Sequence, residues 1–318
     1  MVKAVARRVD DGPLCAVWTP ERHFDGFGGL YPNPSVLGAA IAMATTRVTI
    51  RAGSVVLPLH DPVRVAEEWS VVDNLSGGRA EIAFSSGWHA NDFVLAPQAY
   101  AERHTAFDEQ MDRFLRLWHG ESEQRTNGNG DRVSITVYPR PQRREIPLWL
   151  SGKSDATFVH ATRRGMGVVT NFTGRRFLDL ERRIALYRAE FVPSAHTPAP
   201  RVGLMLHTFV NDDPDAVAHA LDSSYAGYVR RHLELQLRHE AAEVTDRDVE
   251  DMVTTAKTRG AARRRTGRRQ VRVRPAHPAL RRFRRHRDRL PDRLRHRPGP
   301  GAGKHGRPRR PRLVKEDH

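Results

Sequence analysis

Glu21, Arg22 and His23 stand side by side where a short apolar run, residues 16–18, comes to an end. A carboxylate can orient an imidazole, and an imidazole can move a proton near neutral pH. A guanidinium cannot accept a proton, but it can hold an anion such as a phosphate or a peroxide. The alternative is a structural Glu21–Arg22 pair with His23 hydrogen-bonded behind it. We favour the functional interpretation, because polar clusters at strand ends are commonly sites.

Two later apolar runs carry small or hydroxyl-bearing residues. Gly53 and Ser54 lie in "GSVVLP", where small side chains allow either close approach of a ligand or close packing of the chain. Neither interpretation is favoured there. Ser85 and Ser86 follow "AEIAF" and offer two hydroxyl groups, so we include them among the candidate site residues.

Three larger polar or aromatic residues accompany these runs. Trp88 and His89 follow the serines and could form the wall of a pocket, although a tryptophan is more often part of a core. His60 follows Pro58 and is a candidate cap for the next helix.

The stretch "LWLSGKSDATF" ends another apolar run and opens a helix. The N–H groups and dipole of a helix N-terminus suit a phosphate, although Ser-Gly at such a place is often only a cap. The candidate residues here are Ser151, Gly152, Lys153, Ser154 and Thr157. Weaker candidates follow the last two runs, namely the "TNF" stretch at 170–172, His207 and Thr208.

The elements that must position these residues alternate along the chain. Runs rich in Val, Ile, Leu and Phe predict six strands, at "AVWTP", "VTIRAGSVVLP", "AEIAFSSGW", "PLWLSG", "MGVVTNF" and "VGLMLHTFV". Amphipathic segments lie between them. Alternating strands and helices predict a parallel sheet flanked by helices, and strands buried on both faces are expected to be continuously apolar.

Helix boundaries are marked by local signals. Asp61 can cap a helix that begins with Pro62 and ends at Gly77 or Gly78, and Gly165 closes another. A further amphipathic helix contains Phe107 and Trp118, and residues 212–239 predict one long helix. "TNGNGDRVSITVYPRP" predicts a small hairpin turning at its Asn-Gly pairs.

The fold class predicted is a (β/α)₈ barrel rather than a doubly wound sheet. A glycine-rich dinucleotide fingerprint is absent after the first strand, and the polar residues gather at several strand ends. The first and last strand–helix units are not recognisable. Before Ala16 there is room only for the end of a helix, and after Lys257 the pattern stops.

Composition narrows the class of protein. One cysteine, Cys15, excludes an intramolecular disulfide framework. The sequence has neither a membrane-length apolar run nor an h-region near its start, so we expect a cytoplasmic protein that binds no membrane. The sixteen histidines are scattered and indicate no metal cluster.

The net charge of +16 is concentrated at one end of the chain. Residues 258–318 hold 23 of the 53 Lys and Arg residues and 4 of the 37 Asp and Glu residues. We therefore expect two regions, an incomplete barrel over 1–257 and a disordered arginine- and proline-rich tail over 258–318. Such a tail could bind phosphate backbones without sequence preference, but Phe283 is its sole aromatic residue, so no specific nucleic-acid recognition is expected.

Three long motifs resemble the bacterial-luciferase-like flavin monooxygenases, and most closely the group that serves peptide and polyketide assembly lines. They are "AVWTPERHFDGFGGLYPNPSVLGAAIA", "RAGSVVLPLHDPVRVAEEWSVVDNLSGGR" and "FSSGWHANDFVLAP". The resemblance runs from about Ala16 to about residue 257. It implies a (β/α)₈ barrel that uses FMN, supplied reduced by a flavin reductase, with dioxygen to hydroxylate a natural-product intermediate held on an acyl or peptidyl carrier protein. A homo-oligomer is also expected.

The resemblance also assigns roles at the strand ends. Similar enzymes have a histidine pair after the glutamate, and here Arg22 replaces the first histidine while His23 matches the second. The flavin ring is expected against Gly53 and Ser54. Luciferase itself has a cysteine and an arginine where this chain has Ser85 and Ser86, so no reactive thiol or guanidinium is offered there. The FMN phosphate is expected near the cluster at 151–157.

Relatives carry a first strand and helix before the position of Ala16, and a last strand and helix where this chain has arginine. The resemblance therefore leads us to expect a truncated or misassigned start and an out-of-frame tail. Three alternatives stay open. They are a hydride-transferring oxidoreductase that uses a deazaflavin, an inactive relative with an open barrel, and a nucleic-acid-binding protein acting through its tail.

Overall fold

The structure is a computed structural model, and it describes residues 1–24, 26, 31–171, 177–228 and 230–231. The arginine-rich segment predicted to be disordered lies outside these residues, so that expectation and the boundary at residue 257 stay predictions.

Six strands form one parallel sheet in the order β1-β2-β3-β6-β7-β8. The remaining two, β4 and β5, pair with each other in an antiparallel hairpin. The bounds are Ala16–Thr19 (β1), Thr49–Val56 (β2), Ala80–Ser85 (β3), Glu123–Thr126 (β4), Arg132–Ile135 (β5), Leu148–Ser151 (β6), Gly167–Asn171 (β7) and Val202–Met205 (β8). All six predicted core strands and the predicted hairpin are confirmed.

The parallel sheet curls until its two edge strands approach each other. Trp18 of β1 faces Gly203 of β8, where a methyl group added to the glycine would lie 3.5 Å from Trp18 Cζ2. Arg201, just before β8, reaches Glu81 of β3 with a 3.0 Å hydrogen bond. Over the described residues the architecture is therefore a curled six-stranded half-barrel; closure into an eight-stranded barrel is not shown.

The described residues contain seven α-helices. They are Val2–Asp10 (α1), Pro34–Ala42 (α2), Pro62–Ser76 (α3), Phe107–His119 (α4), Asp155–Arg164 (α5), Phe177–Glu190 (α6) and Pro214–Ala220 (α7). The predicted helix remnant before Ala16 is α1. The single long helix predicted over 212–239 is confirmed in its described part from Pro214 onward, with a π-helical turn, Leu221–Tyr225, after α7 and helical residues continuing at 226–228 and 230–231.

Local side-chain chemistry sets the helix ends as predicted. The Asp61 side chain accepts a 2.9 Å hydrogen bond from Val63 N–H, with Pro62 at the first helical position of α3. Gly77 ends α3 in the left-handed region with φ +68°. Gly165 does the same for α5, with φ +59°.

Alternating side chains of the sheet face two environments. One set packs against the helices and is fully buried, including Ile50, Ile82 and Phe84. On the predicted α3 and α4 faces, the side chains completing this core are Val65, Trp69, Val72, Phe107, Met111, Phe114 and Trp118. The other set fills the inside of the curl, where the Trp18 and Trp149 rings meet edge to face at 5.2 Å.

In the described residues, the helices are too short or too polar to cross a membrane.

Candidate functional site

The carboxyl ends of the six parallel strands lie along one edge of the curled sheet, which we call the carboxyl edge. Most of the candidate residues end a strand or directly follow one there. The curl brings these strand ends around a common mouth, the place where ligands bind in parallel α/β architectures.

The Glu21 carboxylate is the centre of a buried cluster at the end of β1. His23 Nε2 donates to Glu21 Oε1 at 2.8 Å, and His60 Nε2 donates to the same oxygen at 2.6 Å. The backbone N–H of Val56, at the end of β2, donates to Oε2 at 2.6 Å. The carboxylate is 1% exposed, so these bonds replace nearly all of its hydration.

The charges in this cluster stabilise one another. Burial alone would raise the pKa of Glu21, but the hydrogen bonds from His23 and His60 and the positive charge of His60 hold it below its ordinary value. Burial would lower the pKa of His60, yet the hydrogen bond and negative charge of Glu21 raise it. The cluster therefore favours a carboxylate paired with a protonated His60.

The prediction that His60 caps the next helix is wrong. Asp61, not His60, caps α3, while the His60 ring turns back to Glu21. A sequence signal was available, because "LPLH" places an imidazole just beyond the end of β2, beside the end of β1.

The residues flanking Glu21 extend this cluster toward the mouth. Phe24 is 65% exposed and adopts φ +52°, a left-handed conformation that costs a bulky residue free energy and is found disproportionately at functional sites. Arg22 donates its backbone N–H to the Tyr31 carbonyl at 2.8 Å. Its guanidinium lies near the Tyr228 phenol, so the segments after β1 and β8 meet there.

The ends of β2 and β3 contribute a pair of hydroxyl groups. Ser54 Oγ donates to Ser85 Oγ at 3.0 Å. Gly53 is closely approached by Trp18, since a Cβ at this glycine would lie 3.2 Å from Trp18 Cβ. The need for a small residue at Gly53 is thus already explained by packing, and its role beside a flavin stays a prediction.

The segment after β3 turns sharply at Gly87, where φ is +79° and a Cβ would lie 2.8 Å from both Phe93 and Val56. Ser86 precedes this turn and is partly exposed. Beyond it, Trp88 is 39% exposed and stacks obliquely on the His89 ring at 5.1 Å.

His89 also contacts a carboxylate in the next turn, because its Nδ1 lies 3.1 Å from Asp92 Oδ1. Trp88 is therefore a surface residue at the mouth rather than part of the core, as a pocket wall requires.

The cluster at 151–157 forms the beginning of α5. Ser154 is the N-cap, and its Oγ accepts from Thr157 N–H at 3.2 Å and lies 2.9 Å from Thr157 Oγ1. Gly152 has no room for a side chain, because a Cβ would lie 2.4 Å from Thr157 Oγ1. Ser151 ends β6 and Gly152 N–H donates to Val169 O at 3.1 Å. The capping alternative therefore accounts for Ser154 and Thr157, and phosphate binding here stays a prediction.

Arginines of α6 surround this helix beginning. Arg183 and Arg182 both contact the Asp155 carboxylate, and Arg183 Nη1 donates to the Lys153 carbonyl at 3.0 Å. The Arg183 and Arg182 contacts lower the pKa of Asp155 below its ordinary value.

The last two strands add polar groups to the mouth. Asn171 Oδ1, at the end of β7, is buried without a hydrogen-bond partner among the described residues. Beyond β8, the His207 ring contacts Tyr228 at 4.4 Å and Tyr225 at 5.5 Å, and Thr208 Oγ1 donates to Leu206 O at 3.2 Å. A buried amide oxygen without a partner is costly, so Asn171 is suited to a ligand donor.

Inside the curl lies a buried ionic network that the sequence did not indicate. Glu81 accepts from Arg51 Nε at 2.7 Å, from Trp149 Nε1 at 2.8 Å and from Arg201 Nη2 at 3.0 and 3.1 Å. The Arg201 guanidinium also lies 4.3 Å from the Trp149 ring centroid. Together with Trp18, the side chains of this network fill the inside of the curl and form the bottom of the mouth, below the carboxyl edge.

The comparison with known families identifies the class of protein. The family model described as "Luciferase-like monooxygenase" matches residues 1–298. The chain belongs to the luciferase-like monooxygenase family, an oxidoreductase family.

Curated relatives are similar over part of their length. The oxygenase component of a flavin-dependent trigonelline monooxygenase from Acinetobacter baylyi is 25% identical over 213 residues, 65% of this chain and 58% of that protein. The alkanal monooxygenase alpha chain of the Kryptophanaron alfredi symbiont is 26% identical over 178 residues, 53% of this chain and 49% of that one. The chain thus spans about half the length of these relatives.

Solved structures show the same fold at low identity. Monooxygenase RslO1 from Streptomyces bottropensis has a TM-score of 0.61 at 23% identity. The match covers 80% of this chain and 81% of RslO1. The oxygenating constituent of 3,6-diketocamphane monooxygenase from Pseudomonas putida, in complex with FMN, has a TM-score of 0.59 at 17% identity. The match covers 80% of this chain and 76% of that one. An F420-dependent secondary alcohol dehydrogenase has a TM-score of 0.57 at 17% identity, covering 78% of each chain.

Proposed function

We propose that this protein is the oxygenase of a two-component system that uses reduced FMN and dioxygen to hydroxylate an organic substrate. Family membership sets the chemical class. The observation that carries the assignment to this chain is the buried Glu21 carboxylate at the carboxyl edge, which holds His23 and His60 through one oxygen.

The residues at the mouth fit a flavin. A flavin ring offers N–H and carbonyl groups along one edge and a flat apolar face. Asn171 Oδ1 is an unpartnered buried acceptor suited to that edge, and the Ser54–Ser85 hydroxyl pair offers further hydrogen bonds beside it. Trp88 supplies an exposed aromatic surface for the ring or the substrate.

Reduced FMN, when bound, supplies the two electrons with which one atom of O₂ enters the substrate and the other leaves as water. The protein must then provide a proton and keep bulk water out. His60 holds a proton on Nε2 against Glu21, because the carboxylate raises its pKa. His23 Nε2 is also engaged by Glu21, so any proton that His23 exchanges with a ligand passes through Nδ1.

The two positive groups nearby would hold anionic parts of the ligands. Arg22, beside Tyr228, lies between the ends of β1 and β8 and suits an anion at the mouth. The beginning of α5, with the Ser154 cap and Arg183 of α6, is where we place the FMN phosphate.

Reduced-flavin binding tests this function first. The full chain is titrated anaerobically with reduced FMN and, separately, with a reduced deazaflavin, for the wild type, Asn171→Ala and Asn129→Ala. Asn129 is an exposed residue of the hairpin turn, so it serves as the matched control. Losing one hydrogen bond worth about 1.4 kcal/mol weakens binding about tenfold, so we expect that loss for Asn171→Ala only.

Turnover tests the reaction. Oxygen consumption is measured with reduced FMN and a carrier-bound acyl substrate, and hydroxylated product is quantified. Peroxide release without product across many substrates would contradict the monooxygenase assignment. Binding of the deazaflavin alone would favour the hydride-transfer alternative, for which the F420-dependent neighbour is a fold precedent only.

The remaining features of the proposal concern the whole protein. The relative from Acinetobacter baylyi is named as an oxygenase component, which supports a separate flavin reductase as partner. We also infer a complete (β/α)₈ barrel in the family's functional form, a homo-oligomer in the cytoplasm, and a natural-product intermediate on a carrier protein as substrate. These follow from the motif resemblance and are tested by mass measurement in solution and by substrate screening.

A further inference from the structure

Three ligand-type side chains meet at the end of the molecule opposite the carboxyl edge. His119 is the last residue of α4, Glu145 lies just before β6, and His196 lies between α6 and β8. Since Glu145 and His196 stand on segments that lead into strands, the cluster lies at the amino ends of the sheet. It is therefore separate from the proposed flavin site.

The ligand atoms of these residues converge. His119 Nε2 and His196 Nδ1 each lie 3.1 Å from Glu145 Oε2, and the two imidazole rings face each other at 5.7 Å with an interplanar angle of 18°. All three ligand atoms lie within 4.8 Å of one another. Atoms bound tetrahedrally at about 2.0–2.1 Å from one zinc ion are about 3.3 Å apart, so two of the separations already match.

His196 brings an unsatisfied ligand atom to this cluster. Its Nδ1 is buried without a hydrogen-bond partner among the described residues, although Glu145 Oε2 is only 3.1 Å away. A buried ring nitrogen without a hydrogen-bond partner is costly, and a metal ion bound by both Nδ1 and the carboxylate oxygen would satisfy it.

Arg144, which pairs with the Glu145 carboxylate, approaches its other oxygen. Arg144 is 93% exposed and its Nε lies 4.0 Å from Oε1, whereas both imidazoles approach Oε2. A metal ion can bind both imidazoles and the carboxylate together.

We propose that His119, Glu145 and His196 form a binding site for a divalent transition metal, with Zn²⁺ the best match to two imidazoles and one carboxylate. Mg²⁺ and Ca²⁺ prefer oxygen ligands and would bind poorly. The ion would tie the end of α4 to the segments that precede β6 and β8, while water completes its coordination.

Metal binding by the full chain tests this proposal without reference to flavin or activity. Chelator-treated protein is titrated with Co²⁺ and followed by visible absorption, then with Zn²⁺ and Mg²⁺ and followed by thermal unfolding. The variants are His196→Asn, Glu145→Gln and His119→Asn. The control is His104→Asn, an exposed histidine away from the cluster, because the chain has sixteen histidines that could bind metal weakly.

We expect the wild type and His104→Asn to give the visible bands of one tetrahedral Co²⁺, displaced by Zn²⁺, and to gain thermal stability with Zn²⁺ but not Mg²⁺. Each ligand variant should bind more weakly by more than the roughly 10–100-fold that losing an outer partner costs. Glu145→Gln preserves side-chain shape, and circular dichroism establishes that each variant is folded. A wild type without stoichiometric binding, or folded ligand variants that bind as tightly as the wild type, would overturn the proposal.

Discussion

Replacing Glu21 by glutamine tests the buried cluster most sharply, because it removes one charge and keeps the shape. The carboxylate is 1% exposed and accepts three hydrogen bonds, from His23, His60 and Val56 N–H. A glutamine oxygen can still accept from Val56, but its NH₂ then faces the two imidazoles. Hydrogen bonds to a charged group contribute about 1.5–3 kcal/mol each, and breaking a buried pair costs about 3–5 kcal/mol. We expect Glu21→Gln to lower the free energy of unfolding by about 3 kcal/mol.

The pH for this measurement follows from the two pKa shifts. Glu21 has its pKa lowered from 4.5, so its contribution is present above that value and is lost as the pH falls through the folded-state pKa. His60 has its pKa raised from 6.5, so its contribution is complete below that value and is lost as the pH rises through the folded-state pKa. The Glu21–His60 pair therefore contributes most to the free energy of unfolding between pH 4.5 and pH 6.5.

Urea unfolding followed by tryptophan fluorescence near pH 5.5 measures the effect, that pH lying between the ordinary values of 4.5 and 6.5. Glu67→Gln is the matched control, because Glu67 is 43% exposed and lies 3.5 Å from Arg64. An exposed pair of this kind is worth about 0–1 kcal/mol. If Glu21→Gln destabilises the protein no more than Glu67→Gln does, the cluster is not the electrostatic unit described.

Three further substitutions probe the same edge and the network below it. His60→Gln should lower the free energy of unfolding more near pH 5.5 than near pH 9, because the pKa of His60 is raised from 6.5 and its contribution is lost as the pH rises. Urea unfolding at the two pH values measures this difference. Equal losses at both pH values would contradict it. Gly87→Ala should lower the free energy of unfolding by about 2–4 kcal/mol, because φ is +79° and the new Cβ would lie 2.8 Å from Phe93 and Val56. Gly128→Ala is the control and should be nearly neutral in the same assay, because a Cβ there would have no atom within 4 Å. Glu81→Gln should lower the free energy of unfolding by about 3 kcal/mol, because this carboxylate is 7% exposed and pairs with the guanidinium groups of Arg51 and Arg201. An unchanged free energy of unfolding would contradict the stabilising role of this ionic network.

Features encoded by neighbouring residues were predictable from the sequence. The Asp61 cap, the Pro62 start and the Gly77 end of α3 are each decided within a few residues, and the structure has them where the sequence predicts. The six strands of the curled sheet were recognisable as well, because strands buried on both faces are continuously apolar.

Contacts between distant segments were not predictable in the same way. His60 meets Glu21 across 39 residues and Arg201 meets Glu81 across 120, and both contacts depend on strand register and on the curl of the sheet. The convergence of His119, Glu145 and His196 depends on the same tertiary arrangement, so the histidines appear scattered in sequence. The π-helical turn after α7 also escaped prediction, because residues 212–239 read as one amphipathic helix.

The site residues themselves were only partly distinguishable from structural ones. Ser154 and Thr157 cap α5, and Gly53 makes room for Trp18, which are local or packing roles. Asn171 is different, because its buried oxygen has no partner among the described residues and the sequence alone gives no hint of that. Burial without a partner is a tertiary property, so it becomes visible only in the structure.

A crystal structure of the protein with bound FMN would locate the flavin. We expect the isoalloxazine ring at the carboxyl edge, within hydrogen-bonding distance of Asn171 and beside Ser54, Ser85 and the Glu21 cluster, with its phosphate at the beginning of α5. A ring bound anywhere else, such as the amino ends of the strands near His119, would contradict this expectation.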